Sequence, residues 1–353
     1  MSKAERVTAN KSRRLRRTAV AAVCGFAVVA AVGTGNASPR EQAGAGASRS
    51  SQTAYGWPVR PFNSPHPVRG NFGDPRTVFH GPPTANTLYH GTGSYTFHRG
   101  VDIAAPLGAK VYPVRDGTVV FDSASHINVK SSDGTLFEYW HIRASLRVGT
   151  TVFAHKTVLG TIQGPTGHVD LTEVQDGQPV NPLAPGHLTP YRDATHPVVA
   201  SIRLQSDNAG HLAFPNFVRD QVWLVAQAFD KPSLTVPGAW HDLPVTPALM
   251  TWRIQSTEGK VVVPTRVAAD FRTNLPPNSA FWSTYARGTL QNMSAFQEHY
   301  SNMQPGSYFF LLSPTKFDTH SLSDGIYDLV VTATDIRGNA NTRSLRFTIH
   351  NRP

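Results

Sequence analysis

The chain has 353 residues, 33 Lys and Arg against 23 Asp and Glu, a formal charge of +10 and a single cysteine. At roughly 100–200 residues per domain, this length predicts about two domains with real cores. A charged fraction of 16% with 40% hydrophobic residues excludes a mostly disordered chain, and 28 Gly with 27 Pro exclude coiled coils and long helical arrays.

Taken in order, the chain opens on a basic head. Seven Lys and Arg against Glu5 place six of the ten net positive charges within residues 1–37. KSRRLRRT is followed by an apolar run from Ala19 to Gly33 and by Gly35-Asn36-Ala37. Head, run and small-residue site in that order predict a secretory signal peptide over 1–37. An uncleaved N-terminal anchor is the alternative, but the run is short of the about 20 residues a spanning helix needs. Cleavage near Ala37 removes Cys24 and leaves a mature chain without cysteine, outside the cytoplasm and without disulfides. Paired Arg13-Arg14 leave Sec and twin-arginine export both open. Residues 38–54 are small and polar and read as a flexible linker. No later stretch has the length of a membrane span, so stable membrane insertion after cleavage is not expected. The weakly basic remainder, with no long basic run, is a poor nucleic-acid binder, though it suits an anionic surface such as a cell wall. Nothing in the sequence fixes an oligomeric state.

From 55 to 191, short runs rich in Val, Ile, Tyr and Phe (AKVYPV, GTVVF, INVKSS, TLFEYWHI, HVDLTEV) alternate with turn residues. They read as strands, and Asp133-Gly134 predicts a hairpin between two of them. NPLAPGHLTPYRDATHP, residues 181–197, reads as a linker to a second, independently folded β unit over 192–353. There DGIYDLVVTATDIRGNANTRSLRFTIH alternates with period 2. Tyr327, Leu329, Val331 and Ala333 share one face, beside Leu345, Phe347 and Ile349 across an Arg-Gly-Asn turn. With VASIRLQS, QVWLVAQAFD and MTWRIQS, this predicts an immunoglobulin-like β-sandwich. Residues 265–305 fit strands less well, and LQNMSAFQEHY is expected to form a short helix.

The chemistry gathers in the first half. On an extended segment His98 and Asp102, at i and i+4, point the same way, and imidazole with carboxylate is an ordinary zinc pair. Four blocks surround them in order: PHPVRGNFGDPR (65–76), HRGVDIAAPLGAKVYPV (98–114), YWHIRASLRVGTTV (139–152) and VLGTIQGPTGHVDLTEVQDGQPVNPL (158–183). Over roughly 58–185 they resemble the lysostaphin/LytM-type zinc peptidases, peptidoglycan endopeptidases with a small antiparallel β core.

That resemblance implies zinc as cofactor, with His98 and Asp102 as ligands and His141 assisting with the attacking water or the oxyanion. The family's last block reads His-x-His, catalytic then metal-binding; here it reads His168-Val169-Asp170, so His168 keeps the catalytic role and Asp170 takes the third ligand place. Positions i and i+2 share a strand face, and a carboxylate binds zinc at about the imidazole distance, roughly 2.0–2.2 Å. A second carboxylate nevertheless weakens the acidification of bound water. Gly167 also abuts His168, and a one-residue slip would turn Val169 and Leu171 towards the metal instead.

His66, His80, His90, His126, His155 and His187 read as surface or packing residues, and Trp140 as a packing aromatic. The expectation is a secreted, wall-associated zinc endopeptidase acting on peptidoglycan or another cell-wall polymer. The competing readings are a non-catalytic relative that binds the wall or regulates, and an extracellular adhesion protein dominated by its second half.

Overall fold

In a computed structural model of the chain, residues 54–77, 95–164, 167–207, 210–213, 216–293 and 304–351 are described. The expected signal peptide and all but the last residue of the expected linker lie outside these, as do His80, His90 and most of the expected 290–300 helix. No helix of the described residues is long and apolar enough to cross a membrane.

The fold is mainly antiparallel β. The first half builds an eight-stranded sheet in the order Val68–Gly70, Val101–Ala104, His168–Gln175, Leu136–Trp140, His126–Lys130, Gly117–Asp122 and Thr151–Val152, with Gln178–Val180 also paired to His168–Gln175. The Asp133-Gly134 hairpin forms as expected: Ser131 N donates to Thr135 O at 2.9 Å, and Gly134 takes the left-handed φ of 88° that the turn demands. Alternation sorts the faces. Val101, Ile103, Val119, Ile127, Val129, Phe137, Tyr139, Val169 and Leu171 are all fully buried in the core, which leaves Asp102, Glu138, Trp140 and Asp170 on the opposite face.

The second half holds two sheets. Val198–Gln205, Gln221–Phe229 and Phe309–Leu311 form one, with Phe317–Asp318 paired on Gln221–Phe229. Phe217–Val218, Ala340–Ile349, Gly325–Thr334, Leu249–Ser256 and Val261–Asp270 form the other. Leu329, Val331, Ala333, Phe347 and Ile349 are buried together, as the period-2 pattern predicts, and Trp252 meets Phe317 of the opposite sheet edge-on at 6.3 Å. Of the expected 290–300 helix only residues 290–293 are described, and these are not helical. A separate short helix forms at Phe281–Thr284, where Phe281 is drawn into an aromatic cluster with Phe97, Phe271 and Tyr285.

That cluster belongs to both halves. Phe97 comes from the first half and the other three rings from the second, with centroids 5.4–5.9 Å from Phe97. Tyr285 donates its hydroxyl to Gly73 O at 2.8 Å, Thr246 N donates to Asp74 Oδ1 at 2.7 Å, and Asn292 Nδ2 donates to Arg69 O at 2.8 Å. Gly73 has φ 93°, and a Cβ there would strike the Phe271 ring. The sheets do part near 191, but the packing does not: from Ser50 onward the chain is one compact unit. Near 191 the sheets part while the aromatic contacts continue across.

Within the second half, Asp193, Asp230 and Asp335 converge, with carboxylate oxygens within 4.8 Å of one another. Burial, reinforced by the other two carboxylates, pushes Asp230 up to about 8. The folded state thus holds a proton that the unfolded chain releases near pH 4, and this contribution to stability is lost as pH rises from about 4 to about 8. Thermal melts should fall between pH 5.5 and 8.5. Asp230→Asn should flatten that slope and melt higher than wild type at pH 8.5, by on the order of a few kcal/mol; an unchanged slope would remove Asp230 as its source.

Candidate metal centre

Register brings the expected ligands together. Asp170 pairs with Asp102 on one side and Trp140 on the other, and Val169 and Leu171 lie in the core, so the strand is not slipped. Two glycines clear the space. A Cβ on Gly70 would strike the Asp102 carboxylate, and one on Gly100 would strike Asp170. His98 sits just before the Asp102 strand, fixed by His98 N donating to Asp74 O at 2.8 Å and Gly73 N donating to His98 O at 2.9 Å.

The His98 ring is oriented for a metal. Its Nδ1 lies 3.1 Å from Asn71 O, which only accepts, so Nδ1 carries the hydrogen and Nε2 presents its lone pair. Nε2 is buried without a hydrogen-bond partner; Asp102 Oδ1 and Asp170 Oδ2 lie 3.5 and 3.3 Å away. Asp170 Oδ1 is likewise buried without a partner. One imidazole nitrogen and two carboxylate oxygens thus converge within 4.8 Å. This orphaned nitrogen between two anionic oxygens is a donor set that fits zinc.

His168 lies beside this trio, its Nε2 3.4 Å from Asp102 Oδ1. His141 is exposed at the end of the Leu136–Trp140 strand, and its ring lies 4.5 Å from that of His168. It adopts φ 64°, an uncommon conformation for a non-glycine residue, which turns the chain sharply at the site.

Two arginines complete the surroundings, and sequence reading assigned them no role. Arg76 Nη2 donates to Asp102 Oδ2 at 2.9 Å. Arg69 Nη2 lies 3.1 Å from His168 Nε2, and the guanidinium stacks 3.8 Å from the centre of the Trp240 ring, which the second half supplies. Burial alone would raise Asp102, but His98, Arg76, His168 and Arg69 outweigh it and hold that carboxyl well below the ordinary range. Burial lowers His168 to about 3, with Arg69 and His141 adding to the effect, so its imidazole is neutral. Burial also lowers Arg69, to about 10, which leaves it charged at neutral pH.

Trp140 is packed on one face only: it stacks on His126 at 3.6 Å and 11° while remaining 36% exposed. Of the other histidines expected to pack, the described His155 lies against Phe62, His66 against Trp57, and His187 on Glu173 at 2.8 Å.

Residues 96–182, about a quarter of the chain, match peptidase family M23, in line with the resemblance carried by the sequence blocks. The upstream block with Arg69 and Arg76 lies outside the matched stretch. No curated protein matches. Among solved structures the chain is similar to the SpoIIQ–SpoIIIAH pore-forming complex, at 21% identity over 37% of this chain and 90% of that one, with a TM-score of 0.29. It is also similar to the catalytic domain of the prophage-encoded M23 protein EnpA from Enterococcus faecalis, at 23% identity over 38% and 98%, with a TM-score of 0.27. The deep-sea M23 metalloprotease pseudoalterin matches at 20% identity over 44% and 85%, with a TM-score of 0.27.

Proposed function

We propose that this chain, whose residues 96–182 carry the M23 peptidase pattern, is a secreted zinc-dependent endopeptidase that cleaves peptidoglycan cross-links or stem peptides. The observation that carries the reading is the buried, unpartnered His98 Nε2 facing Asp102 and Asp170. His98, Asp102 and Asp170 would hold the ion. Zinc bound there supplies a Lewis acid for the scissile carbonyl and lowers the pKa of water.

The chain's own residues do the rest. Asn71 fixes the His98 tautomer through Nδ1, and Arg76 holds the outer oxygen of Asp102, so both ligands are oriented before any ion arrives. His168, buried and neutral, is placed to accept a proton, and the exposed His141 beside it is placed to exchange one with solvent. The immunoglobulin-like reading of the second half rests on its strand order, with the terminal hairpin at the centre of the five-stranded sheet.

A second reading, a non-catalytic relative that binds the wall or regulates, is favoured by one feature: Arg76 donates to Asp102 Oδ2, so one of the two carboxylates is already charge-paired without a metal. Incubating the zinc-loaded mature chain with purified peptidoglycan separates the two. The enzyme reading expects new amino and carboxyl termini in the released peptides by mass spectrometry, lost on chelation and regained with zinc. Wall binding without new termini supports the second reading.

A further inference from the structure

Arg69 is 8% exposed, yet its Nε and Nη1 have no hydrogen-bond partner. A buried cation with unmet donors is costly, and its place beside the metal centre calls for a reason. Its Nη2 is fixed on His168, its plane is covered by Trp240, and its backbone carbonyl is tied to Asn292, so three contacts, two of them from the second half, hold the charge in place.

The reason lies in the ligand charges. A dication held by two neutral imidazoles and one carboxylate leaves the centre with a single positive charge. With one imidazole and two carboxylates, as His98, Asp102 and Asp170 provide, that charge is zero. A neutral centre does little for negative charge developing on a carbonyl oxygen. Arg76 is already taken up by Asp102 Oδ2 at 2.9 Å. A second guanidinium, that of Arg69, restores the charge that the second carboxylate removes, and buried against Trp240 its field is weakly screened.

We propose that Arg69, clamped under Trp240, is the electrostatic complement of Asp170, returning to the centre the positive charge that the second carboxylate ligand removes. The inference rests on the zinc reading of the site and deepens it. Arg69 acts through the field and through His168; it is a positioning residue and not a ligand. It also gives the second half a part in the site, because Trp240 and Asn292 keep the guanidinium buried.

Zinc affinity of the mature full chain, measured by competition with a chromogenic chelator, tests this apart from activity. Removing the charge with Arg69→Met should tighten zinc binding by about tenfold or more, because the ion no longer faces a neighbouring cation. Arg69→Lys, which keeps the charge, should stay near wild type, and Trp240→Ala should tighten binding by less than Arg69→Met. Hydrolysis should fall in Arg69→Met, and Asp170→His should raise it more in that background than in the otherwise wild-type chain. Unchanged affinity in a folded Arg69→Met chain, or equal affinities for the Met and Lys variants, would overturn the proposal.

If Arg69→Met does not fold, the Lys and Trp240→Ala variants decide on the same affinities. If wild type takes up zinc without hydrolysing peptidoglycan, the enzyme reading fails and the affinities alone judge Arg69. If wild type takes up none, zinc uptake on Arg69→Met supports the proposal and continued absence overturns it.

Discussion

Replacing His98 with Ala should abolish stoichiometric zinc binding, lowering affinity by more than about a hundredfold, while His168→Ala should leave the metal in place and remove turnover. The two histidines stand close in space but differ in their partners. His98 Nε2 points at both carboxylates and has no other partner, so its loss removes the one neutral donor and leaves two anions facing each other. His168 Nε2 faces Arg69 as well as Asp102, which marks it as a neighbour of the ion and not a ligand. The expected cost in hydrolysis for His168→Ala is roughly 10²–10⁴-fold, the range of a lost acid–base group. Metal analysis with peptide release on the same two preparations checks both halves. Equal zinc loss in the two variants would mean that His168 is a ligand and the assignment is wrong.

The second large effect concerns the joint between the halves. Residues 192–353 expressed alone should fail to give a stable monomer, although the composition of 181–197 reads as a linker. Separation at 191 strips Phe271, Phe281 and Tyr285 of Phe97, and Phe281 and Trp282 of Tyr95. At about 1.5–3 kcal/mol for each large apolar side chain, the exposed rings represent up to on the order of 10 kcal/mol. That is as large as the whole stability of an ordinary domain. Circular dichroism melts and gel filtration of the fragment check this: a cooperative, monomeric 192–353 fragment would show that its core stands alone.

The strands were legible because alternation is local. Leu329, Val331 and Ala333 announce a buried face within one strand, and Asp133-Gly134 announces a hairpin within six residues. Part of the site was legible for the same reason: His168 and Asp170 are a short spacing on one strand whose side chains an extended backbone must aim together. His98, in contrast, lies before the Val101–Ala104 strand and reaches Asp102 across a bend at Gly100. Arg69 and Trp240 were not. They meet across 171 residues, and no local pattern distinguishes Trp240 from any other aromatic in a proline-rich loop. The contacts across the joint were not legible, because the prolines and glycines in 181–197 read only as a linker. What ties the halves is carried by Phe97, Phe271, Phe281 and Tyr285, which look like unremarkable apolar residues until the fold brings them together. The short helix at Phe281–Thr284 was not legible either, because burial of Phe281, and not local propensity, holds it.

The most direct test of a metal centre built on His98, Asp102 and Asp170 is the zinc content of the chain, purified, loaded with excess zinc and dialysed. The structure predicts one zinc per chain by elemental mass spectrometry, absent from the His98→Ala variant prepared in parallel. A wild-type chain that remains metal-free under zinc excess, or a His98→Ala chain that keeps its zinc, would contradict it.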